Sequence, residues 1–104
     1  MLYSAPLAAT AAALRNDQLD IHAYIDELCN RIDAIEPAIQ ALLPEPGRRE
    51  RLHIEAEILH ACYPHAESRP PLYGIPVGVK DIFRVDGFPT RAGSELPVEE
   101  FAGP

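Results

Sequence analysis

Residues 74–83, GIPVGVKDIF, decide how the chain is read. Ile75, Val77 and Val79 alternate with Pro76, Gly78 and Lys80, the period of two that a pleated strand requires. Proline cannot donate to a ladder and sits best at a strand's beginning, so the spacing predicts a strand that opens near Pro76. Lys80 is the one lysine in the sequence, and the other basic residues are all arginine. A guanidinium stays charged inside a protein, whereas an ammonium can give up its proton there. Burial disfavours the charged form, so an amine among apolar neighbours can serve as a proton acceptor. The ordinary alternatives are an ion pair with adjacent Asp81 or a stem that carries the charge out to solvent. Gly78 falls on the same side of the strand as Lys80 and leaves room for a backbone or a substrate to approach.

Upstream of this strand the sequence reads as helix. Ser4 is suited to cap a first helix through Leu7, Ala11 and Leu14, which Asn16-Asp17 would end. Asp20 then reads as the cap of a second helix, whose Ile21, Tyr24, Ile25, Leu28, Cys29, Ile32 and Ile35 recur at three- and four-residue steps. Pro37 is expected to stop it. The short apolar run Ala38–Leu43 leans to strand. A third helix is expected from Arg48 to Cys62, burying Leu52, Ile58, Leu59 and Cys62, with Tyr63-Pro64 as its end. Seven of the 11 prolines lie from Pro64 onward, so the composition divides the chain into a mainly helical part, 1–63, and a part of strand and loops, 64–104. Asp86-Gly87, Pro89 and Gly93-Ser94 supply turn chemistry there.

Bulk properties narrow the function. The 104 residues make one small domain at most. A formal net charge of -7 repels phosphate backbones and anionic leaflets, so neither nucleic acid nor a membrane is an expected partner. The apolar run Ala5–Leu14 is far shorter than the roughly 20 residues of a membrane span, and no basic residue precedes Arg15 as in a signal peptide. A cytoplasmic protein with reduced Cys29 and Cys62 is the expectation. His53, His60, Cys62 and His65 raise the question of zinc, but they lack paired ligand spacing, and a pair of histidines at a helix end beside a buried Cys62 is the simpler reading. No metal or cofactor is expected.

The run from Pro71 to Ser94, PLYGIPVGVKDIFRVDGFPTRAGS, resembles the amidase signature family of serine amidohydrolases. The resemblance rests on Pro71-Leu72-x-Gly74-Ile75-Pro76-Val77-x-Val79-Lys80-Asp81, then Gly87, then Thr90-x-x-Gly93-Ser94. It implies an α/β fold, with amino-terminal helices and the first strands of a mixed sheet, incomplete in this chain. It also implies amide hydrolysis, with Lys80 as the lysine of a Ser-cisSer-Lys triad. Asp81, Gly78 and Ser94 would support the lysine. The family's Gly/Ser-rich segment, which carries the nucleophile, is absent, since Ser4, Ser68 and Ser94 are the only serines. The chain is thus expected to be an amino-terminal piece of an enzyme that acts on a small amide, and to be inactive alone. The glutaminase-like subunit of a transfer-RNA amidotransferase is an alternative within the family. A non-catalytic helical module that self-associates is the alternative outside it.

Overall fold

The structure is a computed structural model, and it describes residues 6–81 and 85–88. Helix α1 spans Leu7–Arg15, α2 spans Ile21–Ile39 and α3 spans Arg48–Cys62, followed by a single 3-10 turn at Ala66–Ser68. Pro6 precedes α1 without a side-chain cap, and the expected cap Ser4 lies outside the described residues. Helix α1 ends in a Schellman arrangement. Asp17 takes a left-handed conformation at φ 58°, Asp17 N–H donates to Leu14 O (3.4 Å) and Gln18 N–H donates to Ala13 O (2.9 Å). Aspartate tolerates that backbone region better than most residues because its short side chain can bond locally.

Asp20 caps α2 as its sequence suggests, its carboxylate accepting from Ala23 N–H at 2.9 Å. Pro37 does not stop the helix. It lies within the last turn, where a missing N–H removes only one ladder bond, and Ala38 and Ile39 complete the helix. Gln40 closes it in the left-handed region, its N–H donating to Glu36 O at 2.7 Å. Glu36 also turns its side chain back to accept from Leu42 N–H at 2.6 Å. In place of the strand expected at Ala38–Leu43, Ala38 and Ile39 end α2 and the other four residues form an irregular connector. Gly47, with φ 78°, then opens α3. Glu45 binds Arg51 through both carboxylate oxygens, and Arg48 donates to Leu43 O at 2.9 Å, so the connector is tied down onto the first turn of α3.

The small core lies between α2 and α3, where Ile25, Cys29 and Ala56 are buried and Ile21 and Leu52 pack against them. Burial pushes the Cys29 thiol up from its ordinary value of 9.0. The register of the two helices is antiparallel, since His22 faces Glu57 while Asp26 and Asn30 face Arg49. The α3 burial expected from periodicity is corrected at two positions: Ile58 and Cys62 are exposed, and Ala56 is the residue that meets the core. The reason is size. A small residue lets α3 approach α2 closely at Cys29, and the stripe at Ile54 and Ile58 is left facing outward.

No strand occurs among the described residues, so the α/β sheet is not present in them. Residues 75–80 are irregular, and a strand exists only where a neighbouring strand accepts its N–H groups. Among the described residues no helix is long and apolar enough to cross a membrane.

Candidate active site

The segment that carries Lys80 is launched by a buried anchor on the helices. Arg69 has a fully buried side chain, and its guanidinium collects four hydrogen bonds. Nε donates to Tyr63 O (3.0 Å), Nη2 to Pro64 O (3.3 Å), and Nη1 to both Arg15 O (2.9 Å) and Asp17 Oδ1 (2.7 Å). Arg15 and Tyr63 stand at the carboxyl ends of α1 and α3, where orphan carbonyls and the negative pole of the helix dipole favour a cation. One planar fork thus joins two helix ends, a geometry that arginine offers and lysine does not. The Tyr73 ring lies under the guanidinium at 4.6 Å and is itself buried.

From this anchor the chain reverses twice. Tyr73 N–H donates to Pro70 O and Ile75 N–H donates to Leu72 O, both at 3.0 Å, and Arg15 Nη1 holds Pro71 O at 2.7 Å. Gly74 is the third residue of the second turn and has φ 78°, the position where a type II turn needs glycine. A Cβ there would also come within 3.0 Å of Ile21 Cδ1. Gly74 therefore sets the direction in which residues 75–81 leave the helices.

That segment runs into solvent. Val77 is 71% exposed and Val79 55%, Gly78 and Lys80 are exposed, and Asp81 is half-buried. The dry surroundings expected for the lysine are not supplied by the described residues. Among the described residues, none beyond its chain neighbours has an atom within 4 Å of where a Cβ on Gly78 would sit, so they leave the space beside Lys80 open. Ser94 lies outside the described residues, as do Thr90 and Gly93. The structure brings Gly78, Lys80 and Asp81 onto one short segment and leaves their relation to Ser94 undescribed. Arg69 and Tyr73, which hold that segment together with Gly74, were not singled out by sequence reasoning, and Gly74 was read only as part of the family motif. The left-handed glycine after Pro-Pro-Leu-Tyr was the available signal.

Beside the anchor, a cavity of about 270 Å³ is lined by Leu14, Asp17, Asp20, His22, Glu57 and Tyr73, among others. Among the described residues no three His, Cys, Asp or Glu side chains are arranged to hold a metal ion. Cys62, expected to be buried, is exposed, and His53 meets His22 on α2.

The chain belongs to the amidase family, whose sequence profile, described as Amidase, matches residues 23–102. That range contains Lys80 and reaches from α2 past Ser94. The chain is 38% identical over 95 residues to a glutamyl-tRNA(Gln) amidotransferase subunit of Oleidesulfovibrio alaskensis, covering 91% of this chain and 19% of that one. It is 31% identical over 98 residues to an acylamidase of Rhodococcus erythropolis, covering 92% and 20%. With the 2-amino-5-chloromuconic acid deaminase of Comamonas testosteroni it shares 35% identity over 94 residues, covering 90% and 20%. The chain spans about a fifth of the length of these relatives. No solved structure matches it.

Proposed function

We propose that this chain contributes the lysine of an amide-hydrolysing site and the helical base that aims it. The carrying observation is that the family match runs through the whole of the segment 74–94, on which the lysine, the turn glycine and Thr90-x-x-Gly93-Ser94 stand in order. In this reading the neutral amine of Lys80 takes a proton relayed through a bridging serine from a nucleophilic serine. The nucleophile attacks the amide carbonyl, the amine leaves with a proton, and water releases the acyl group. Asp81 begins the turn after the lysine, Gly78 keeps the approach open, and Ser94 supports the site without acting as nucleophile. The bridging serine and the nucleophile belong to a Gly/Ser-rich segment that this sequence does not contain, and the same larger body would supply the mixed sheet on which residues 75–80 pair. The substrate class is a small carboxamide in a cytoplasmic setting.

The test compares Lys80→Ala with its parent in a protein that continues this chain with such a segment. Loss of the relay base should lower kcat/KM on a simple carboxamide by about 10²- to 10⁴-fold while the circular dichroism spectrum is unchanged. A folded variant at near-parental rates refutes the role. The 104 residues alone should show no turnover, and activity that depended on Ser94 would overturn the assignment.

A second reading is the amide-cleaving component of a transfer-RNA amidotransferase, favoured by the 38% identity to a protein named as part of one. Release of ammonia from glutamine, dependent on an added partner protein, distinguishes it from a free-standing amidase.

A further inference from the structure

Two histidines far apart in sequence meet at the α2–α3 interface, and the proposed hydrolysis does not use them. His22 Nδ1 and His53 Nδ1 are 2.6 Å apart. The rings are inclined by only 18°, with centroids 4.8 Å apart. That separation is about the N···N distance plus one ring radius at each side, so the rings lie edge to edge in a common plane rather than face on face. This is the geometry of an in-line N–H···N hydrogen bond. The outer nitrogens are also engaged: His22 Nε2 is 2.6 Å from Glu57 Oε1, and His53 Nε2 is 2.8 Å from Asp26 Oδ1.

Proton counting then fixes the state. A carboxylate only accepts, so both Nε2 atoms must carry hydrogen. A neutral imidazole holds one hydrogen, which each ring has now placed on Nε2, leaving two bare Nδ1 lone pairs facing each other. A hydrogen bond between them needs one more proton. Two more would set N–H against N–H and place two cations in contact. We infer that His22 and His53 share a single proton as an imidazolium–imidazole pair, flanked by Asp26 and Glu57, which clasps α2 to α3 only while that one proton is held.

The surroundings suit one positive charge. Asp26 is held below its ordinary value of 3.8, first by its hydrogen bond from His53 and then by that from Arg49, so it stays an acceptor. Arg49 Nη1 meets the same Asp26 oxygen at 2.9 Å and offsets part of the negative charge, while Glu57 meets His22 on the other side of the pair. Asp17, Asp20 and His60 line the cavity next to His22 together with the Tyr73 ring. The clasp therefore weakens in both directions, when the shared proton leaves on the alkaline side and when a second arrives on the acid side. It does not depend on the amide chemistry.

The direct test is a long-range proton–nitrogen correlation spectrum of the 104-residue chain, with imidazole nitrogens labelled, recorded from pH 4 to 10. At intermediate pH both Nε2 signals should be those of protonated nitrogen, and both Nδ1 signals should lie midway between protonated and bare. Either ring with a bare Nε2, or two rings that titrate as independent sites with ordinary Nδ1 shifts, overturns the inference. Thermal unfolding of His22→Gln, His53→Gln and the double variant gives a second readout. Either single substitution should flatten the rise and fall of the midpoint with pH, and the second should add less than half of the first shift. Additive shifts, or a parental profile without a maximum, count against the shared proton.

Discussion

The anchor at Arg69 and the segment at Lys80 are eleven residues apart in sequence and opposite in character. Around Arg69 each polar group has a partner: among the described residues no buried side-chain nitrogen or oxygen lacks a hydrogen bond. Around Lys80, Val77 and Val79 stand more than half exposed, and the described residues leave open space beside Gly78. The first region is complete in itself. The second is positioned but not enclosed by the described residues, so the catalytic role proposed for Lys80 requires surroundings that they do not supply. The difference separates what holds a residue in place from what would give it its chemistry, and substitutions can act on one without the other.

Arg69→Leu should have the largest effect on folding. It strands the carbonyls of Arg15, Tyr63 and Pro64 and removes a set of charge-assisted bonds, at a cost of about 3 kcal/mol in urea unfolding. That is a large share of the roughly 5–15 kcal/mol available to a domain. Arg69→Lys keeps the charge but loses the fork, and should recover less than half of the loss. A leucine variant within about 1 kcal/mol of the parent would mean that the anchor is ornamental and that the launch of residues 75–81 is set elsewhere.

The glycine pair sharpens the contrast. Gly74→Ala meets both a left-handed backbone and Ile21 Cδ1 at 3.0 Å, and should destabilise by about 1–2 kcal/mol. Gly78→Ala meets nothing, and should change stability by no more than about 0.5 kcal/mol in this chain. In a protein with the complete amidase site the order should reverse for activity, because in the proposed site Gly78, and not Gly74, borders the approach to Lys80. If both alanines cost the same stability, the two positions do not differ in the way proposed.

Much of the helical part was legible because its signals are local. Asp20 caps its own third residue, and α3 is bounded by Gly47 and Tyr63-Pro64, all within a turn of the boundaries that they set. Pro37 misled because its cost depends on position: in mid-helix it breaks the ladder, and in the last turn it removes one bond. Arg69 was invisible for a different reason. Three of its four partners are carbonyls, which every residue has, and Arg15 is 54 positions away. The histidine clasp left a trace that could have been read. Each of the two helices carries a histidine four residues before a carboxylate, His22–Asp26 and His53–Glu57, but the bonds run crosswise between helices and need the antiparallel register to be seen. The role proposed for Lys80 rests on the family motif around it, and its environment could not be read, because the sheet and the nucleophile implied by the family resemblance are not among the described residues.

A modest effect is also expected where the connector meets α3, and there pH decides its size. Glu45 is held below its ordinary value of 4.5, chiefly by its hydrogen bonds from Arg51. A carboxyl depressed on folding adds stability above its unfolded value, and that addition is lost as pH falls through the folded one. Arg51→Gln should therefore destabilise the chain above about pH 5 by no more than ~1 kcal/mol, since both side chains remain partly exposed. Below the folded value of Glu45 the variant and the parent should converge. Arg51 also lies over the Phe88 ring at 5.0 Å, a contact that does not titrate in this range. A deficit that persisted undiminished into acid would assign the role of Arg51 to Phe88 instead, making residues 85–88, just beyond the lysine segment, the second place where that segment is fastened to the helices.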